Sequence, residues 1–278
     1  MRSDSAVRAA PARPAPSLDR RRSRPSATAG LRLLGGALVL AVLAHQLGSG
    51  PFVAGLRATT WWAVVAALVV TAGTTWCCAL RWSLVSARVG PGRLPLRTAY
   101  AAYYRSQLVN ATLPGGVVGD VERAAGHGWR GVVWERGLGQ LVQVALVGAL
   151  LLPGGWRWLG LAVVAGAVVA GGAVLLLSAL AVAGHLVVFL VAATAVGVDL
   201  GTAQLLPAGA LVLLGSAVPL SVAGWGPREG IAAWAFSASG STAATGLAVS
   251  VTFGVLALVA TLPGLLVLAP SLRRVRHG

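Results

Sequence analysis

Two blocks of this chain carry the residue types that grip anions or move protons: Asp120, Glu122 and Arg123 in one, Arg228 and Glu229 in the other. Each sits among helix breakers. Pro114, Gly115, Gly116 and Gly119 accompany the first, and Pro219, Gly224, Gly226 and Pro227 the second. The blocks align without gaps, Pro114 on Pro219, Val117 on Val222, Gly119 on Gly224 and Arg123 on Arg228. A guanidinium is a rigid fork of N–H donors that matches phosphate oxygens, better than an ammonium does. A neighbouring carboxylate can orient that fork or exchange a proton. Arg105 and Asn110 lie just upstream of the first block, where Asn110 can satisfy backbone groups freed by the break, and Glu135-Arg136 follows it.

These charges stand in apolar surroundings. Of seven acidic residues, Asp4 and Asp19 belong to the N-terminal tail, and three of the remaining five fall in the blocks. A charged residue at mid-membrane costs about 2.5 to 3.5 kcal/mol, so a block with two or three would cost roughly 5 to 10 kcal/mol unless paired or wet. Two accounts remove that cost. The blocks can neutralise each other, Asp120 or Glu122 against Arg228 and Glu229 against Arg123, pinning two hairpins together. Alternatively the two arginines present donors to a phosphate while the carboxylates hold them; both can be true at once. Glu135-Arg136 fits an interfacial helix-start pair or a member of the same network. Tyr100, Tyr103 and Tyr104 fit a headgroup-level aromatic belt or a lipid vestibule.

The composition fixes the class of element that must position these groups. The 278 residues are 56% hydrophobic and only 10% charged, with 37 glycines and 10 tryptophans, and a mean hydropathy of +0.79. That is one all-α, polytopic membrane helix bundle spanning residues 29–272, with no room for a second folded domain. The net charge of +15 is carried wholly by arginine and crowds the two ends and one loop, which argues against a folded nucleic-acid-binding face. Residues 1–28, rich in Arg, Pro, Ser and Ala, make a disordered basic tail, and residues 273–278 a short basic C-terminus. The positive-inside rule puts both ends in the cytoplasm of a cell (inner) membrane protein. Cys77 and Cys78 are adjacent in an apolar run, giving neither a structural disulfide nor a metal-ligand spacing, and the four histidines form no ligand pattern. No cofactor or metal is expected. Nucleophile-elbow, phosphate-loop and zincin signatures are all missing.

The expected spans are Leu31 to Leu47, Trp61 to Leu80, Val132 to Leu152, two within Leu159 to Val198 with a turn near Ser178 to Gly184, and Leu247 to Leu268. Arg81, Arg88, Arg93 and Arg97 mark a cytoplasmic loop. Gly160, Gly166, Gly171 and Gly172 are expected at close helix contacts. Charge parity makes residues 98–125 and 204–239 re-entrant hairpins, for six full spans plus two hairpins; counting each arm as a span gives eight. Broken backbone at membrane depth is tolerable only inside protein or against a wet cavity. Each half then runs span, span, hairpin, span, with the second inverted, the pattern of an inverted-repeat transporter with a midplane substrate site.

The blocks also resemble a known family, the lysylphosphatidylglycerol synthase transmembrane-region or flippase-like membrane proteins. The likeness rests on Asn110-x-x-Leu113-Pro114-Gly115 through Gly119-Asp120-x-x-Arg123, the Glu135-Arg136 pair, Pro219-x-Ser221-x-x-Gly224-x-Gly226-x-Arg228-Glu229 and the late Leu262-Pro263-Gly264. It covers roughly residues 31 to 270 and departs at Val118, where the family usually has glycine. The soluble aminoacyl-transfer domain of the named synthases is absent from this sequence. The resemblance therefore implies the membrane half alone, moving or presenting a phospholipid or lipid-linked substrate. Two other roles remain open: an intramembrane enzyme on a lipid-linked donor, using Asp120 or Glu229 as acid or base, and a membrane partner for a separate soluble synthase, contacted through the basic tail.

Overall fold

The computed structural model describes residues 27–90, 92–113, 116–218 and 225–267. The expected tail at residues 1–28 lies almost wholly outside these, as do the C-terminus at 273–278 and the breakers Pro114, Gly115, Pro219 and Gly224.

All regular structure among the described residues is helical. The helices are α1 (Ala27–Leu47), α2 (Gly50–Arg57), α3 (Trp61–Val89), α4 (Leu96–Thr112), α5 (Val118–His127), α6 (Trp129–Leu151), α7 (Trp156–Ala170), α8 (Gly172–Val196), α9 (Thr202–Ser216), α10 (Pro227–Ala238) and α11 (Ala243–Thr261). Their ends follow local chemistry. Gly197, at φ +79°, closes α8 in the left-handed conformation, with Val198 N–H donating back to Ala193. Pro227 opens α10 at a position where its missing N–H costs nothing.

α3 and α8 form the centre and run antiparallel. Gly184 of α8 packs on Thr74, where an added Cβ would strike the threonine methyl, and further along Arg81 Nη1 donates to Ser178 Oγ at 2.9 Å. Around this pair stand two helical hairpins. In α4–α5, Gly119 lies against the Ser106 backbone with no space for a Cβ; in α9–α10, Gly215 lies 2.7 Å, at its Cβ position, from Ile231 Cδ1. The order long helix, arm, arm, helix thus occurs twice, as α3–α4–α5–α6 and as α8–α9–α10–α11. Packing between the sets is reciprocal: α6 touches α8 and α9, while α11 touches α3 and α4. Phe189, Phe236 and Phe253 stack edge to face at 6.4 and 6.1 Å between centroids in the core of the second set.

Several expectations are corrected here. Three helical segments are long and apolar enough to cross a membrane, Trp61–Val89, Gly172–Val196 and Ala243–Val267; a fourth arises if Ala37–Leu47 and Gly50–Arg57, bent by 101°, make one span. By length and composition alone, then, three or four of the six to eight expected spans stand out among the described residues. α7 and α9 have 15 residues each, short of the roughly 20 that the hydrocarbon core requires, and α6 carries Arg130, Glu135 and Arg136. α3 continues past Leu80 to Val89, so Arg81 and Arg88 are helical and Arg81 is buried rather than in a loop. The apolar run after Leu159 breaks at Gly171-Gly172, where Gly172 takes φ +66°, and not near Ser178 to Gly184, which lie inside α8. Gly160 does pack closely, its Cβ position lying 2.8 Å from Leu152 Cδ1, whereas Gly166 faces open space. Tyr103 and Tyr104 are buried in the protein, not in an exposed belt.

Candidate functional site

The first hairpin is organised by Asp120. Its Oδ1 accepts from Ser106 Oγ at 3.1 Å and from Arg123 Nη2 at 3.0 Å, and its Oδ2 accepts from Asn110 Nδ2 at 3.0 Å. Arg136 Nη2 donates to the same Oδ2. Asn110 Oδ1 in turn accepts from Gly119 N–H at 2.7 Å, satisfying a first-turn donor of α5 that has no intrahelical partner. Ser106 and Asn110 are one turn apart on α4, so both reach α5 only because Gly119 lets the backbones touch.

Behind Asp120 lies Glu135 of α6, fully enclosed. Its Oε1 accepts from Arg81 Nε at 3.1 Å, from Arg81 Nη2 and from Tyr103 Oη at 3.1 Å, while Oε2 accepts from Arg123 Nη2 at 3.1 Å. Arg123 completes the cluster between two rings, its guanidinium carbon 4.2 Å from the Tyr103 centroid and 4.6 Å from that of Trp82. Three guanidinium groups therefore share two carboxylates.

The second hairpin has a smaller version. Arg228 donates from Nε and Nη2 to Glu229 Oε1 at 2.8 and 2.5 Å, and Ser250 Oγ donates to the same oxygen at 3.2 Å. Glu229 Oε2 accepts from Gly226 N–H at 2.6 Å, tying the ion pair to the start of α10. The guanidinium of Arg228 lies over Trp225 and Phe253 at 5.1 and 5.7 Å, and Gly254 leaves room for it; a Cβ there would collide with it.

Both clusters open on one cavity of about 340 Å³. Arg81 of α3, Arg136 of α6 and Arg228 of α10 line it, with Gly116 from the first break. Gln107, Asn110, Gln140 and Gln143 add carboxamides, and Tyr103, Ser178, Ser216 and His185 add further polar groups. No carboxylate among the described residues lines this cavity; Asp120, Glu135 and Glu229 pair with its arginines. With Arg123 the two clusters hold four guanidinium groups against these three carboxylates, a net positive charge.

Of the residues picked out by sequence, Asn110, Arg136, Arg228 and Gly116 meet at the cavity. Arg123 does not. It lines a second cavity of about 360 Å³ on the far side of the first hairpin, together with Gly119, Arg105 and Glu122, the last two ion-paired with each other. The expected pairing between hairpins is also absent among the described residues, since Arg123 binds Asp120 and Glu135 while Arg228 binds Glu229. Gly226 takes φ +128° ahead of Pro227, a conformation that favours glycine at this turn. Cys77 and Cys78 are unbridged.

Sequence reasoning missed Arg81, Gln107, Gln140, Gln143 and Ser178. The spacing of Arg136, Gln140 and Gln143, four and then three, puts polar groups on one face of an otherwise apolar helix and was a readable signal. No family model, no curated protein and no solved structure matches the chain.

Proposed function

We propose that this protein is a lipid flippase or lipid-linked substrate transporter of the cell (inner) membrane, holding a phosphate-bearing headgroup in the cavity between the two hairpins. The observation that carries this reading is the cavity wall, which three arginines and, among the described residues, no carboxylate line. Charged groups buried among apolar helices mark substrate paths more often than scaffolding. The antiparallel α3 and α8, the repeated helix order and the reciprocal packing of α6 and α11 support an inverted repeat with its site where the halves meet. The motif resemblance to the lysylphosphatidylglycerol synthase transmembrane-region family points the same way. Arg136 and Arg228 are the headgroup ligands in this scheme, Arg81 lies beside them, and Glu135 and Glu229 hold the guanidiniums in place.

Transport is favoured over an intramembrane enzyme because Asp120, Glu135 and Glu229 are all engaged by arginine, and no carboxyl among the described residues lines the cavity as acid or base. Proteoliposomes containing fluorescent anionic phospholipid test the proposal. Movement between leaflets that needs the protein and is lost in Arg136→Gln and Arg228→Gln supports it. Unchanged translocation in both variants, at equal protein level, overturns it, and chemical conversion of the lipid would establish an enzyme instead.

A further inference from the structure

Arg123 spends one nitrogen on two carboxylates. Asp120 and Glu135 both accept from its Nη2, so Nε and Nη1 have no hydrogen-bond partner among the described residues, although the side chain is only 1% exposed. The rings of Tyr103 and Trp82 fix the plane in which these donors lie. Buried donors left unpaired are rare and unfavourable. Here they gather. The second cavity, of about 360 Å³, is lined by Arg123, Arg105 and His127, and Arg105 Nε and His127 Nδ1 are likewise buried without a partner. These three residues hold four of the ten such side-chain atoms among the described residues. A negatively charged, acceptor-rich group satisfies a wall of this kind. Glu122 is the only carboxylate lining the cavity among the described residues, and it is paired with Arg105. The apolar lining is small, Ala101, Ala102, Gly126 and Val267, which suits a compact ligand better than an acyl chain. Arg97 and Arg130, close in the chain to Thr98 and His127 of the wall, are exposed, where arginines concentrate soluble anions.

The two cavities share their carboxylates. Asp120 joins Arg136, on the first cavity, to Arg123, on the second; Glu135 joins Arg81, on the first, to the same Arg123. Three guanidinium groups against two carboxylates leave this network one positive charge in excess. That excess serves one anion at a time. We infer that the second cavity is a regulatory site for a small water-borne oxyanion of the phosphate class, and that filling it weakens anion binding in the first cavity. The site stands on its own geometry, while its effect on lipid movement rests on the transport role proposed above.

Calorimetric titration of the purified full-length protein with inorganic phosphate tests the site, using Arg228→Gln to weaken the first cavity. Saturable binding is expected, and at least about tenfold weaker binding once Gly126→Leu is added. Gly126 lines the second cavity and a Cβ there meets open space, so the leucine occupies the ligand's volume. If that variant does not fold, Gly126→Cys in a Cys77→Ala, Cys78→Ala protein, alkylated after purification, fills the same space. Phosphate binding that survives the filled cavity, or no binding by folded Arg228→Gln protein, overturns the second site and leaves the transport proposal standing. Short-chain phosphatidic acid binding more tightly than phosphate, and lost on filling the cavity, makes this a lipid site and overturns the water-borne ligand. In proteoliposomes of the protein with Arg228 intact, phosphate is expected to slow lipid movement at least about fivefold relative to chloride at equal ionic strength, and to leave Gly126→Leu unaffected. Equal slowing of both proteins overturns the coupling. Lipid movement absent even without phosphate overturns the transport role alone, and the titration still decides the site.

Discussion

Arg81 on α3 and Glu135 on α6, 54 positions apart, are joined through Nε and Oε1 at 3.1 Å, with side-chain exposures of 5% and 0%. Glu135 also holds Arg123, which it shares with Asp120, and it is the only carboxylate among the described residues that pairs with Arg81. Losing one partner of a buried ion pair costs about 3 to 5 kcal/mol, because the other charge stays behind without compensation. Glu135→Gln is therefore expected to lower Tm sharply in detergent, and Glu135→Leu combined with Arg81→Met to recover much of the loss. Thermal unfolding of the three proteins checks it; a double variant no better than Glu135→Gln would contradict it.

Gly119 matters for space. A methyl there runs into the Ser106 backbone, and overpacking of this kind costs about 1 to 3 kcal/mol. Gly119→Ala should destabilise the α4–α5 hairpin and disturb the Asn110 and Asp120 contacts. Gly126→Ala, on the same helix and facing open space, should be neutral or stabilising by up to about 1 kcal/mol. Denaturation of both variants under one condition makes the comparison.

Arg136 separates binding from stability. Its side chain is 42% exposed, and a pair of that kind contributes about 0 to 1 kcal/mol. Arg136→Gln is expected to keep Tm within a few degrees while headgroup affinity falls at least about tenfold. Arg88→Gln, exposed on α3 and away from the cavity, should change neither.

The cavity should be wet. In a protein with Cys77→Ala and Cys78→Ala, Gln140→Cys is expected to react with a membrane-impermeant thiol reagent in reconstituted vesicles. Val169→Cys, 81% exposed on α7, should resist it because that face meets lipid. Mass spectrometry of the labelled protein decides, and protection of Gln140→Cys by glycerophosphoglycerol would tie the wet space to the ligand.

The hairpins were legible because Pro114 and Pro219 lie in glycine-bearing runs beside charge, and broken helices at such places admit few structures. Arg81 was not legible. It begins a run of arginines that reads as a loop, and only the arrival of Glu135 and Ser178 from other helices makes its burial favourable. Gly171-Gly172 looked like a packing pair because glycine among alanine and valine serves both uses, and only the positive φ of Gly172 tells them apart. Glu135 was weighed as an interfacial residue because a sequence shows its neighbours on α6 and not the three donors it meets in space. Pairing between hairpins is one of the two accounts that charge complementarity allows, yet Asp120, Glu122 and Glu229 each have an arginine within their own hairpin, and Glu135 takes Arg81 and Arg123 from α3 and α5.

Imaging the protein in nanodiscs of phosphatidylglycerol by electron cryomicroscopy, at a resolution that shows side chains, tests the central claim most directly. Density for a phosphate inside the cavity, within hydrogen-bond reach of Arg136 and Arg228, is the predicted result. Lipid density confined to the outer faces of α1 and α7, with Arg136 and Arg228 touching only Asp120 and Glu229, would contradict it.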